Sequence, residues 1–274
     1  MFYDLYTSLL KMHDTFRPAD TDVHLSIDYT APTLTELREK YALAAIAGDG
    51  DPFDRAVRLM DWLTTHVRHD GDCNPEGSRC ALTALEYAFD KADRGVNCAW
   101  LATTLSECLL SLGIAARTMY IMPFAPYDCD NHVVTHAWTG TQWVMLDPTT
   151  NCYVRDKEGH LLDVFGLRAL LADQQEVVFN DALRYNGNPY NAQEHRDYLA
   201  KDLFWFQTAE ASGSSDSRQL TIAPEGYDPH KRDVLNIQYR MRVQGDAPWL
   251  HSWLEITKAS VPVFCSVEDM KKAP

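Results

Sequence analysis

Cys98 stands where a turn gives way to an apolar helix pattern, in RGVNCAWLATTLSECLLSLGIAAR, Arg94 to Arg117. A thiol at a helix start meets free backbone N–H groups and the positive end of the helix dipole. Both favour the thiolate and can bring its pKa from about 8.5 down to roughly 3.5–7.5. The same N–H groups can hold an oxyanion. The chemistry such a placement serves is nucleophilic attack by sulfur on a carbonyl. Asn97, just before the thiol, and Trp100, just after it, are candidate cleft-lining residues.

A nucleophilic thiol needs a base, and the base needs a group that orients it. The segments HVVTHAW and QWVMLDP read as two strands joined by a tight TGT turn. Side chains alternate along a strand, so His132 and His136 share a face. If Trp138 and Trp143 flank the turn, Asp147 lies across from Val134 and is a diagonal neighbour of both histidines. The residues alone therefore leave two candidates for the base of a Cys98–His–Asp147 constellation.

The elements around these residues have clear signals. Asp51 and Pro52 read as an N-cap and first-turn proline before FDRAVRLMDWLTTHV, whose Phe53, Val57, Met60 and Leu63 keep helical spacing. Thr33 and Glu36 fit a capping box before ELREKYALAAI. A further helix covers about Ala81 to Ala92. The Cys98 helix is apolar on nearly every side and belongs in a core, with Gly113 ending it as a C′ glycine. IAARTMYIM follows as a strand. Cys108, on the same helix, reads as packing.

The order and spacing of these pieces resemble the transglutaminase-like superfamily of papain-like thiol enzymes. The resemblance rests on Asn97-Cys98, on Gly113-Ile114-Ala115-Ala116-Arg117, on the His132 strand and on Trp143-Val144-Met145-Leu146-Asp147-Pro148. It covers about Asp51 to Asn151, and the phrases at His69–Gly71 and Tyr198–Phe204 are similar to bacterial members. In that family the histidine opens its strand well ahead of the aspartate. The resemblance thus implies His132 as the base, with His136 as the alternative base or a cleft residue and His69 at the cleft border. One departure is Val96, where many members have glycine two residues before the sulfur; here glycine is at 95. Calcium sites of the cross-linking animal enzymes and CxxC zinc pairs of the peptide-deglycosylating ones have no counterpart.

The implied function is cysteine-dependent acyl transfer on amide bonds of a peptide or protein substrate, through a thioester, with water as the acceptor. An amine acceptor is the alternative among enzymes, and a catalytically silent peptide-binding module is the alternative outside them. No cofactor is expected. His66, His69, Cys73 and Cys80 have zinc-ligand types but match no standard spacing, so no metal is expected either.

The chain's 274 residues carry a net charge of −14. That balance argues against nucleic acid and anionic membrane partners and points toward substrates of basic character. No apolar run reaches the roughly 18 residues of a membrane helix. MFYDLYTSLLKMHDTF lacks a signal-peptide pattern, and seven irregularly spaced cysteines read as reduced thiols. A cytoplasmic protein is the expectation.

The fold expected is α+β: helices packed on one side of a small antiparallel sheet. Residues 1–50 would form an N-terminal helical or extended segment and 51–208 the catalytic core. Residues 209–217, AEASGSSDS, would be a flexible linker. Residues 218–274 would form a small β-rich segment with strands at Gln219–Ala223, Val234–Val243 and Val261–Val267.

Overall fold

The computed structural model describes residues 2–214 and 217–274. Its centre is an eight-stranded sheet. In chain order the strands are β1 (Ala116–Met122), β2 (His132–Trp138), β3 (Trp143–Asp147), β4 (Cys152–Asp156), β5 (Val177–Phe179), β6 (Trp205–Ala209), β7 (Gln219–Ile222) and β8 (Val263–Phe264). They lie in the order β8-β7-β6-β1-β2-β3-β4-β5. All neighbours are antiparallel except β7 and β8, which are parallel.

The fold class is α+β, but the sheet is larger than expected and helices cover both of its faces. On one side lie α1 (Pro52–His66), α2 (Ala81–Asp90) and α3 (Cys98–Ser111). Their core joins Leu59, Met60, Leu85, Leu101 and Leu105 to Ala137, Val144 and Leu146 of the sheet. The opposite core joins Met119, Ile121, Val134 and Met145 to Leu10, Leu167 and Leu199, supplied by the helices Tyr3–Met12, Val164–Ala172 and Ala192–Asp202. The strand sequences explain this. HVVTHAW and WVMLD do not alternate apolar with polar, and both are buried nearly throughout. A strand of that kind must be covered on both faces.

The helix starts follow capping chemistry. Asp51 accepts the Asp54 N–H at 2.9 Å, with Pro52 in the first turn. The buried face of α1 is Ala56, Leu59, Met60 and Leu63, rotated slightly from the face that Phe53 and Val57 would have set. The capping box at Thr33 is absent. Pro32 takes the first helical position of Pro32–Lys40, and that helix has no side-chain cap. It ends before Ala42, whose φ of 51° starts a separate turn of helix at Leu43–Ala47. The N-cap of α2, Cys80, makes no side-chain capping bond to the backbone. Glu107 of α3 reaches across instead, and its Oε2 accepts the Ala81 N–H at 2.7 Å.

The C-terminal stretch corrects the sequence reading most. Val234–Val243, expected as a strand, lies within helix Pro229–Val243, and Pro248–Ala259 is a second helix. Leu235, Ile237, Tyr239, Met241 and Val243 alternate like a strand, while Val234, Ile237 and Met241 also fit a helix. The start decides between them: Asp228 accepts the Lys231 N–H at 2.9 Å and Pro229 takes the first turn. The two helices share a small core of Ile237, Leu250 and Leu254. β7 and β8 extend the central sheet, so 218–274 is no separate β unit. The segment expected as a linker connects the adjacent strands β6 and β7. Its Ala211 and Ser212 pair with Ser26 and Ile27, and residues 215–216 lie outside the described residues.

No helix among the described residues is long and apolar enough to cross a membrane. All seven cysteines are free.

Candidate active site

α3 begins at Cys98, with Asn97 as its N-cap. The Asn97 Oδ1 accepts the N–H groups of Ala99 at 3.1 Å and Trp100 at 3.3 Å. The thiol is half-buried and opens into a cavity of about 560 Å³ that Asn97, His69 and His132 also line. Trp100 does not line it. Its ring is buried in the helical core, 2 % exposed, with Nε1 donating to Asn74 Oδ1 at 2.7 Å.

The hairpin β2–β3 has the register that Trp138 opposite Trp143 requires, with Thr135 opposite Leu146. Asp147 is thereby diagonal to both histidines. It is fully buried, and His132 Nε2 donates to its Oδ2 at 2.8 Å. The same oxygen accepts the Thr150 hydroxyl at 2.9 Å, and Oδ1 accepts the Thr149 N–H at 2.9 Å. With Nε2 engaged, Nδ1 is the His132 nitrogen left to face sulfur.

The electrostatics follow from these contacts. Burial alone would push the Cys98 thiol up, but hydrogen bonding and charge from His132, and then from His69, outweigh it and bring the thiol down to about 6. Burial alone would depress His132; the Asp147 carboxylate overrides it and holds the ring well above its ordinary value. Burial alone would raise Asp147, yet His132 and the Thr149 N–H hold it well below the usual carboxylate range. The site favours a thiolate, an imidazolium and a carboxylate in sequence.

His136 is not part of this group. Its Nε2 lies 4.0 Å from Asp163 Oδ2, and neither ring nitrogen has a hydrogen-bond partner among the described residues. The ring stacks on Trp143 with centroids 5.3 Å apart. Burial, then the charges of Arg117 and Lys271, lower it to about 3.

His69 reaches the cleft through a two-residue parallel pairing of Arg68–His69 with Gly95–Val96. This sets it beside the residues that lead into Cys98. Gly95 makes the approach possible: a Cβ there would sit 2.8 Å from the Arg68 carbonyl oxygen and 2.9 Å from the Asp70 Cβ. Glycine at 95 rather than 96 is therefore the position this packing requires. The ring is held by Tyr185, whose hydroxyl lies 2.9 Å from Nδ1, and the backbone by Asn186, in contacts of 2.8 and 3.0 Å.

Several residues at the site were not read from the sequence. His195, on the helix Ala192–Asp202, is fully buried, with Nε2 3.5 Å from Asp147 Oδ2 and 3.2 Å from Thr150 Oγ1. Burial lowers its pKa to about 4. Tyr198 packs against the His132 ring with centroids 5.4 Å apart. Arg79 and Arg240 complete the cavity wall. A signal existed for His195: His195, Leu199 and Asp202 fall at i, i+4 and i+7, the spacing of a buried helix face.

The candidate zinc ligands do not converge. His66 Nδ1 contacts Trp62 O, Cys73 bonds Tyr87 and Cys80 bonds Thr83. Among the described residues no group of three or more His, Cys, Asp or Glu side chains could hold a metal ion.

Residues 39–148 match the family model described as the transglutaminase-like superfamily. No curated protein matches the chain. A solved structure from Cytophaga hutchinsonii, named a "Putative Cysteine Protease", is similar at 15% identity with a TM-score of 0.35. The match covers 70% of this chain and 58% of that one, so the chain spans little more than half of that protein's length.

Proposed function

We propose that this chain, built on a transglutaminase-like core over residues 39–148, is a cysteine-dependent acyl-transfer enzyme that opens amide bonds of a peptide or protein. The observation that carries the reading is the His132 ring. It is held by buried Asp147 at 2.8 Å on one side and lowers the Cys98 thiol on the other, in a cavity open to substrate.

In this mechanism the Cys98 thiolate attacks the amide carbonyl, and a C–S bond forms as the carbonyl electrons move to oxygen. The N–H at the head of α3 faces the resulting oxyanion. His69 is the second donor: its Nδ1 is engaged by the Tyr185 hydroxyl at 2.9 Å, which leaves Nε2 as the nitrogen to face the oxyanion. The His132 imidazolium passes its proton to the leaving nitrogen, and the C–N bond breaks. Water then attacks the thioester and gives a proton to His132. The C–S bond breaks and a carboxylic acid leaves. Asp147 orients the ring and supports its charge throughout. Water is the acceptor in this reading because it reaches any open cleft.

The test is incubation of the protein and its Cys98→Ala variant with a peptide library, with and without a primary amine, weighing the products by mass spectrometry. Cleavage that gains one water and vanishes in the variant is expected. An amine adduct in place of that product would reassign the acceptor. Products that persist in Cys98→Ala would end the thiol reading.

A further inference from the structure

The net charge of −14 leads one to expect a cleft that attracts cations, but the wall around Cys98 has the opposite character. Two guanidinium groups line it, Arg79 and Arg240. The carboxylate of the lining, Asp130, lies 3.2 Å from Lys201, which it shares with Asp128 at 3.1 Å and Asp202 at 3.2 Å. Among the described residues neither Arg79 nor Arg240 pairs with a carboxylate.

Both arginines are held in place by neutral groups. Arg79 Nη1 donates to the Tyr120 hydroxyl at 2.5 Å, and its guanidinium lies over the Trp100 ring, 5.8 Å from the centroid. Arg79, Tyr120 and Cys98 line the same cavity. Arg240 Nε donates to Asn236 Oδ1 at 2.9 Å, and Nη2 donates to the Cys129 carbonyl. Its other terminal nitrogen has no hydrogen-bond partner among the described residues. Helix Pro229–Val243 also grips the loop that bears Cys129 and Asp130: Asn236 Nδ2 donates to Pro126 O at 2.8 Å and Asp128 O at 2.7 Å. A guanidinium fixed by neutral partners keeps its charge and fork geometry available to a carboxylate.

Building on the thiol-enzyme reading above, we propose that the cleft selects an acidic peptide. The preferred substrate carries carboxylates flanking the amide that Cys98 attacks, one met by Arg79 and the other by Arg240. This replaces the basic substrate that net charge alone implies. The distant surface charge slows the approach of such a substrate, but it is screened beyond about 8–10 Å at ordinary salt, while the two arginines act in contact.

Two measurements test this. In the first, Cys98 is alkylated with iodoacetate and with iodoacetamide, reagents that differ in a carboxylate, and the labelled peptide is quantified by mass spectrometry. The ratio of the two rates cancels changes in thiol reactivity. It is expected to fall by about tenfold in Arg79→Gln and to recover in part in Arg79→Lys; a ratio unmoved in Arg79→Gln would overturn that residue's role. In the second, the Cys98→Ala protein is titrated with a glutamate-flanked peptide and its glutamine-flanked counterpart. The acidic peptide is expected to bind about tenfold tighter, an advantage reduced severalfold in Arg240→Gln and weakened but not abolished in 0.5 M salt. Equal affinities would overturn the acidic-substrate inference. Failure of both reagents to label Cys98 ahead of the other thiols would instead strike the thiol reading, and the titration would still decide the substrate class.

Discussion

His132 and His136 sit four residues apart on one face of one strand, and both are buried. At the strand's first residue, the His132 ring meets a carboxylate at 2.8 Å, a tyrosine ring and the thiol. Mid-strand, the His136 ring lies against Trp143 with Arg117 and Lys271 as its charged neighbours and the Asp163 oxygen no closer than 4.0 Å. One is held protonated and the other neutral. Burial pushes both down; at His132 the hydrogen-bonded Asp147 carboxylate overrides it, and at His136 burial prevails.

The largest expected effect bears on the thiol that only one of these histidines can serve. Cys98→Ala should lose on the order of 10⁴-fold or more in turnover, read against a peptide substrate found in the library screen. His132→Ala should cost about 10²–10⁴-fold, whereas His136→Leu should leave kcat within a few-fold. Equal losses at the two positions would erase the distinction.

Stability sharpens the same contrast. His132→Leu leaves the Asp147 charge buried without its cationic partner and should cost about 3 kcal/mol or more in urea unfolding. His136 has no hydrogen bond to lose among the described residues, so His136→Leu should cost about half that or less.

The pH dependence should have opposite slopes. As pH falls from about 6.5 toward 3, the unfolded chain takes up a proton at His136 that the folded chain refuses until about 3. Stability should therefore drop over that window, and His136→Leu should blunt the drop. The His132 contribution is complete below about 6.5 and fades as pH rises through its raised folded value. Iodoacetamide labelling of Cys98 should rise with pH through about 6 in the native protein. In His132→Gln the rise should move toward the ordinary thiol range; an unchanged midpoint would sever the coupling between ring and sulfur.

The smallest effect is expected at His195. It is buried beside Asp147 but neutral, with its pKa down at about 4, and it shares the carboxylate oxygen through Thr150. His195→Phe should slow turnover by about tenfold at most, chiefly through the orientation of Asp147. A loss as large as that of His132→Ala would make it a second base.

The residues differ in how legible they were. Asn97 before Cys98 is a local capping signal, and the turn between Trp138 and Trp143 sets the register that brings Asp147 diagonal to His132. These depend on neighbours within a few positions. The side Trp100 faces was left open because a helix of nearly uniform apolarity does not reveal which side meets the cleft. The helix Pro229–Val243 was misread because strand and helix periods both fit its apolar residues, and the deciding cap lay upstream at Asp228. Arg240 follows Cys98 by more than a hundred residues, so no local pattern connects them.

The sequence by itself determined that a thiol heads a buried helix and that two histidines and an aspartate share one face of a hairpin, because caps and strand periodicity act over short range. Only the tertiary structure decided which histidine meets the Asp147 carboxylate, that His69 and Tyr185 line the same cavity as Cys98, and that two arginines with no carboxylate partner among the described residues line an acidic protein's cleft. Charge and proton affinity depend on distance in space, and the groups that set them here come from segments far apart in the chain.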